Sequence, residues 1–115
     1  MTERLRWNWL NLNFKNENVI SEVQKKVIFK ILRPYKPLKV WVFGSYARGE
    51  NKSDSDLDLM VNLGKRINLL DFIGIEQELS LALGIKVDLV TEGSLDPMVK
   101  PYIDKDIKPL MVNEE

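Results

Sequence analysis

Neither cysteine nor histidine occurs anywhere in the 115 residues. Their absence excludes disulfides, thiolate or imidazole metal sites and Ser-His-Asp catalysis. Any chemistry must then rest on carboxylates, lysines, arginines, hydroxyls and a metal ion held by oxygen. Net charge is lacking too, because 17 basic side chains balance 17 acidic ones, so nothing global draws the chain to nucleic acid or to an anionic membrane. No apolar run approaches the roughly 20 residues of a membrane span, and MTERLRWNWL lacks the apolar core of a signal peptide. A cytoplasmic protein is the expectation. What the chain does have is 44% hydrophobic residues, enough to bury one core in one domain.

Val19, Ile20, Val23, Val27, Ile28, Ile31 and Leu32 recur at helical spacing, so residues 19–32 are expected to form a helix that Pro34 ends. LKVWVF, Leu38 to Phe43, is short, β-branched and aromatic between Pro37 and Gly44, and reads as a buried strand. SDLDLMVNL, starting at Ser55, reads as a second strand. Asn68 to Leu83 returns to helical spacing with Gly84 placed to cap it, and Ile85 to Thr91 reads as a third strand. Gly74 lies inside that second helix at a cost of about 1 kcal/mol against alanine, which close packing would explain. Pro97, Pro101 and Pro109 forbid one long helix after Ser94, so the tail is expected as short helix or turn against the sheet. This order makes an α/β domain, one small sheet with helices packed on it.

Two aspartates, Asp56 and Asp58, interrupt the second strand. Side chains alternate along a strand, so both acids share one face while Leu57, Leu59 and Val61 anchor the other. Two like charges about 7 Å apart raise each other's proton affinity unless a cation relieves them. A hard divalent metal with oxygen ligands gives that relief. Asp88 interrupts the third strand in the same way, and all three acids converge if the two strands are neighbours. Asp56 and Asp58 alone would be ordinary decoration of a solvated edge. They follow, however, a turn at Gly44-Ser45 that opens on backbone N–H groups suited to phosphate, with the Ser45 hydroxyl and Arg48 within the same short run.

The run GSYARGENKSDSDLD resembles the signature of the polymerase-beta type nucleotidyltransferases: Gly-Ser, ten residues, then Asp-x-Asp. Ala47 to Gly49, Ser55 to Leu59 and VDLV at Val87 to Val90 are similar in particular to the minimal nucleotidyltransferases, single-domain proteins of about this length. The likeness covers residues 19–110. It implies a polymerase-beta-like fold with a small mixed sheet, and metal-dependent transfer of a nucleoside monophosphate, usually from ATP, to an acceptor. By position, Asp56, Asp58 and Asp88 would be catalytic metal ligands for two Mg2+ ions, with Asp88 also able to assist deprotonation of the acceptor. Gly44, Ser45 and Arg48 would bind the nucleotide. Many minimal members are antitoxins that attach AMP to a tyrosine of a HEPN-domain ribonuclease toxin, so a HEPN partner is implied. Other members neutralise by binding alone, and more distant ones modify small molecules such as aminoglycosides. An acceptor of that kind would need a cleft between two copies, because one short domain encloses little.

Residues 1–18 fall outside the likeness and residues 19–115 form the expected domain. Leu5, Trp7, Trp9, Leu10, Leu12 and Phe14 in the first segment are expected to pack back as an extra strand or short helix, the alternative being a partner-binding arm. Lys25, Lys26, Lys30, Arg33, Lys36 and Lys39 read as a solvated basic face. Asn51, Lys52 and Ser53 read as a loop free to close over a nucleotide.

Overall fold

The computed structural model describes residues 7–9 and 20–113, with residues 7–9 and 111–113 as backbone only. Helix α1, Glu22–Leu32, starts where Ser21 can cap it. The Ser21 hydroxyl accepts from the Gln24 amide at 3.0 Å, and the Gln24 side chain accepts from the Ser21 amide at 2.9 Å, so two otherwise orphaned donors are satisfied. A 3-10 turn over Arg33–Tyr35 then passes through Lys36, held in the left-handed region at φ 52°, and into strand β2, Pro37–Phe43. The short helix α2, Gly44–Arg48, leads by a loop to strand β3, Leu57–Leu63.

Helix α3, Leu69–Leu83, begins at Asn68, whose side chain accepts from the Asp71 amide at 2.7 Å. It ends at Gly84, in the left-handed conformation that C-caps favour, with φ 73°. Strand β4, Val87–Thr91, follows, then a 3-10 turn at Glu92–Ser94, helix α4 at Lys100–Asp106 and strand β5 at Lys108–Asn113. Strand β1, Trp7–Trp9, stands at the sheet edge. The sheet order is β1-β5-β2-β3-β4, antiparallel except for the parallel pair β3–β4. Helix α3 supplies the crossover that such a parallel pair needs.

One face of the sheet makes the core. Val40 and Val42 of β2, Leu57, Leu59 and Val61 of β3, and Val87 and Leu89 of β4 pack with Ile28 and Leu32 of α1 and with Ile75 and Leu79 of α3. The edge of β4 is managed from above. Ser80 Oγ of α3 accepts from the Val87 amide at 2.9 Å, and Glu76 Oε2 accepts from the Leu89 amide at 2.8 Å, so side chains replace a missing strand neighbour.

The expected helix, strand, short helix, strand, helix, strand order is observed, and the tail departs from it. Residues 108–113 form an internal strand between β1 and β2 rather than helix or turn. Pro109 argued against a strand, and the ladder admits it only through an irregularity: Val40 pairs with Met111 but Trp41 with Pro109, which leaves Leu110 extra and buried. Of the N-terminal segment only Trp7–Trp9 is described. It pairs with β5 as an added strand, while the tryptophan side chains and Leu5, Leu10, Leu12 and Phe14 lie outside the described residues. In the basic run Lys25 is buried and paired with Glu22 at 3.5 Å, whereas Lys26, Lys30, Arg33, Lys36 and Lys39 are exposed. Among the described residues no helix is long and apolar enough to cross a membrane.

Gly74 is not explained by packing among the described residues, because a Cβ built on it meets none of them within 4 Å. Gly74→Ala should therefore stabilise the domain by about 0.5–1 kcal/mol, measured as a rise in the urea midpoint. Leu59→Ala, at a fully buried position, should cost about 2–5 kcal/mol in the same assay.

Candidate active site

The site is built where β2 ends and β3 and β4 begin. Phe43 stands opposite Asp58 in the β2–β3 ladder, so the chain turns at Gly44 directly beside that acid. Gly44 has φ 74°, and a Cβ added there would run into the Asp58 carboxylate. Backbone conformation and steric contact thus both demand glycine. Tyr46 and Ala47 are buried and anchor α2. Gly49, at φ 73°, ends the helix after five residues, and the half-buried Ser45 sits in its first turn. The loop that follows is a closed turn: the Lys52 amide donates to Ser55 Oγ at 2.8 Å and the Ser55 amide to the Lys52 carbonyl at 3.1 Å.

Strands β3 and β4 are parallel neighbours with Asp58 directly in register with Asp88. Asp56 lies one residue ahead of β3 rather than inside it, yet the Leu57 amide still donates to the Lys86 carbonyl at 2.8 Å and holds the approach to the strand. The three acids therefore gather at one end of the sheet. Burial pushes the Asp58 carboxyl up from 3.8 to about 6, helped by the charges of Asp88 and Asp56 and a hydrogen bond with Asp88, and opposed by Arg48.

Two residues that the sequence reading passed over enter here. Lys86 Nζ lies 3.9 Å from Asp56 Oδ2 and 4.0 Å from Asp88 Oδ1, a cation bridging two of the acids. Its signal was available, since a residue two before Asp88 shares its side of the strand direction. Asp106 had no such signal. It takes the Arg48 Nη1 donor at 2.9 Å across 58 positions of sequence, while Arg48 Nε donates to Glu50 at 2.9 Å. Arg48 is thus tied to α4 and the nearby loop, with further N–H donors still free on its fork.

A cleft of about 730 Å³ opens elsewhere, at the far ends of β3 and β4, lined by Asn62, Lys65, Arg66 and Glu92 among others. It contains none of the three acids. Asn62 donates to Glu92 across it at 3.0 Å, and the concentration of carboxylates, rather than cavity size, marks the chemistry.

Residues 20–109 match the family model described as nucleotidyltransferase domain. The chain belongs to that family. This nucleotidyltransferase is 40% identical over 94 residues to a relative in Methanocaldococcus jannaschii named provisionally as a protein adenylyltransferase, spanning 81% of the chain and 96% of the relative. Among solved structures it is similar to a chain of a toxin–antitoxin crystal structure with AMP-PNP, at TM-score 0.67 and 28% identity over 75% of this chain and 71% of that one. It is also similar to a chain of the tri-AMPylated Shewanella oneidensis HEPN toxin in complex with MNT antitoxin, at TM-score 0.62 and 25% identity over 77% and 70%. The fold is accordingly the polymerase-beta-like one, with its small mixed sheet.

The donor set of the nucleotidyltransferase suits a hard divalent ion, being carboxylate oxygen without nitrogen or sulfur. Among the described residues no three acidic side chains already surround one point closely enough to hold an ion. A metal ion would draw the carboxylates together and take over the place that the Lys86 ammonium holds between Asp56 and Asp88.

The raised proton affinity of Asp58 has a definite sign for stability. The folded protein holds this proton more tightly than the unfolded chain, so the contribution is full below about pH 4 and is lost as pH rises through about 6. In EDTA, Asp58→Asn should melt above wild type at pH 7.5, and the gap should narrow as pH falls from 6 to 4. Thermal melts of both proteins across that range check this, and added Mg2+ should raise the wild-type melting temperature more at pH 7.5 than at pH 5.

Proposed function

We propose that the nucleotidyltransferase transfers AMP from ATP to a hydroxyl of a partner protein, a tyrosine of a HEPN-domain ribonuclease toxin, and so acts as the antitoxin of that pair. The observation that carries this reading is the meeting of Asp58 and Asp88 in register on parallel strands beside the Gly44-Ser45 turn. The similar structures, one holding AMP-PNP and one an AMPylated HEPN toxin, support ATP as donor and a protein as acceptor.

In this mechanism Asp56, Asp58 and Asp88 would hold two Mg2+ ions. Bound there, the metal neutralises phosphate oxygens and eases loss of the acceptor proton. Gly44 keeps the turn free of a side chain so that the triphosphate can approach the backbone, and Ser45 donates its hydroxyl to the same phosphates. Arg48 turns its unused N–H groups toward them. The acceptor oxygen attacks the α-phosphorus in line, its proton passing to Asp88, while the bond from the α-phosphorus to the bridging oxygen breaks and pyrophosphate leaves with the electron pair. Alignment of attacking and leaving oxygens, rather than covalent chemistry by the protein, supplies most of the rate.

A second reading, neutralisation by binding alone, is favoured by one observation. Lys86 lies within 4.0 Å of two of the three acids, so a cation of the chain's own can share the cluster, as a purely structural role would require. The two readings part in a single experiment: the protein encoded by the adjacent gene is incubated with the nucleotidyltransferase, Mg2+ and ATP, and its intact mass is measured. The transferase predicts a gain of one or more AMP units, lost by at least 100-fold in Asp56→Asn or Asp58→Asn. An unmodified partner held in a stable complex, with both variants still protecting cells from it, would replace catalysis by binding.

A further inference from the structure

Helix α3 has an outer face that none of the other described residues covers. Leu70 is 78% exposed and Leu81 85% exposed, with Ile73 at 40%. At helical spacing Leu70, Gly74, Gln77 and Leu81 form one stripe about 16 Å long, opposite the buried Ile75 and Leu79. Gly74 interrupts the stripe with bare backbone, and a Cβ built there would meet no other element among the described residues within 4 Å, although glycine costs a helix about 1 kcal/mol against alanine. Exposed leucines around a bare backbone position are what a second helix needs in order to lie close.

Helix α3 packs on the sheet face opposite the acids, and the stripe reaches their side round the edge of β4. A groove of about 400 Å³ lined by Gln77, Ser80, Leu81, Lys86 and Val87 runs along its C-terminal half. The Lys86 at its end is the residue whose ammonium lies 3.9 Å from Asp56 and 4.0 Å from Asp88. Charge then selects the occupant. Helix α3 flanks its stripe with the exposed Asp71 and Glu78 and carries no basic residue, Glu76 being turned to β4, so a second copy packed α3 against α3 would set acids against acids. A different protein, with an apolar helix face edged by lysine or arginine, fits instead.

We propose that the outer stripe of α3 is the docking surface for the acceptor protein, which lays a basic-edged apolar helix along Leu70, Gly74 and Leu81 and so presents its hydroxyl past Lys86 to the acid cluster. This rests on the reading that the acceptor is a protein. Acceptor specificity then lies in a helix surface outside the reacting centre, joined to it through the groove at Lys86.

Leu70→Asp and Leu81→Asp place an acid at each end of the stripe, and Val23→Asp, at an exposed position on α1 (70%), serves as control. Binding of each variant to the HEPN-domain protein tested as acceptor is measured by calorimetry, and AMP transfer is measured against acceptor concentration. Magnesium AMP-PNP binding at wild-type affinity shows that each variant is folded. The expected result is at least a tenfold weaker complex and a tenfold higher acceptor KM for both stripe variants, with Val23→Asp within twofold of wild type. Unchanged acceptor binding in the stripe variants overturns the docking surface, whatever happens to transfer. A wild-type protein that binds the HEPN partner through this stripe but transfers no AMP supports the surface and removes the transferase reading. Sedimentation of the free protein supplies the remaining arm: a wild-type dimer that Leu81→Asp splits would assign the stripe to a second copy and overturn the proposal.

Discussion

Two carboxylates facing each other on adjacent parallel strands set the terms for the rest of this structure. Asp58 and Asp88 stand in register, where burial, and then the charge of Asp88, disfavour ionisation of Asp58. The chain tolerates this arrangement because the same two strands are fixed by their opposite faces. Leu57, Leu59, Val61, Val87 and Leu89 all lie in the core, and shifting either strand by one residue would expose that whole apolar set. Register is thus enforced by hydrophobic burial on one side and used for electrostatics on the other. Gly44 completes the constraint, since only a residue without a Cβ fits against Asp58 at the end of β2.

Helix α3 links the scaffold to the site in several ways at once. As the crossover between β3 and β4 it makes their parallel pairing possible. Through Ser80 and Glu76 it satisfies the outer amides of β4, and so holds Asp88 on a strand that is otherwise an edge. Its inner face, through Ile75 and Leu79, closes the core. Its outer face exposes Leu70 and Leu81 where none of these duties requires them, and the docking surface proposed there would give a small domain a means of choosing its partner. Helix α4 has a comparable, smaller part: Asp106 fixes Arg48 from the far end of the chain, so the α2 turn is braced by the tail as well as by the sheet.

How much of this was legible depended on whether the signal was local. The helices, expected over 19–32 and 68–83, and the strands β2 to β4 followed from periodicity and from Pro34 and Gly84 at the helix ends, while the capping by Ser21 and Asn68 emerged only in the structure. Strand β5 did not, because Pro109 disfavours a strand unless a partner strand shifts register around it, and that accommodation by Val40 and Trp41 lies some 70 positions away. Gly74 was misread for a related reason: its sequence context is a helix interior, and only the packing reveals that its side faces outward.

By itself, the sequence determined the chemistry available: no thiol, no imidazole, three aspartates in strand-like settings and a Gly-Ser turn at a spacing diagnostic of nucleotidyl transfer. Alternation alone settled that Asp56 and Asp58 share a side, because the period of two is a property of the backbone. Only the tertiary structure decided that Asp88 joins them, that Lys86 bridges Asp56 and Asp88, and that Arg48 is held by Asp106. Each of those depends on which strands become neighbours, and strand order follows from how the whole core is buried rather than from any local run of residues.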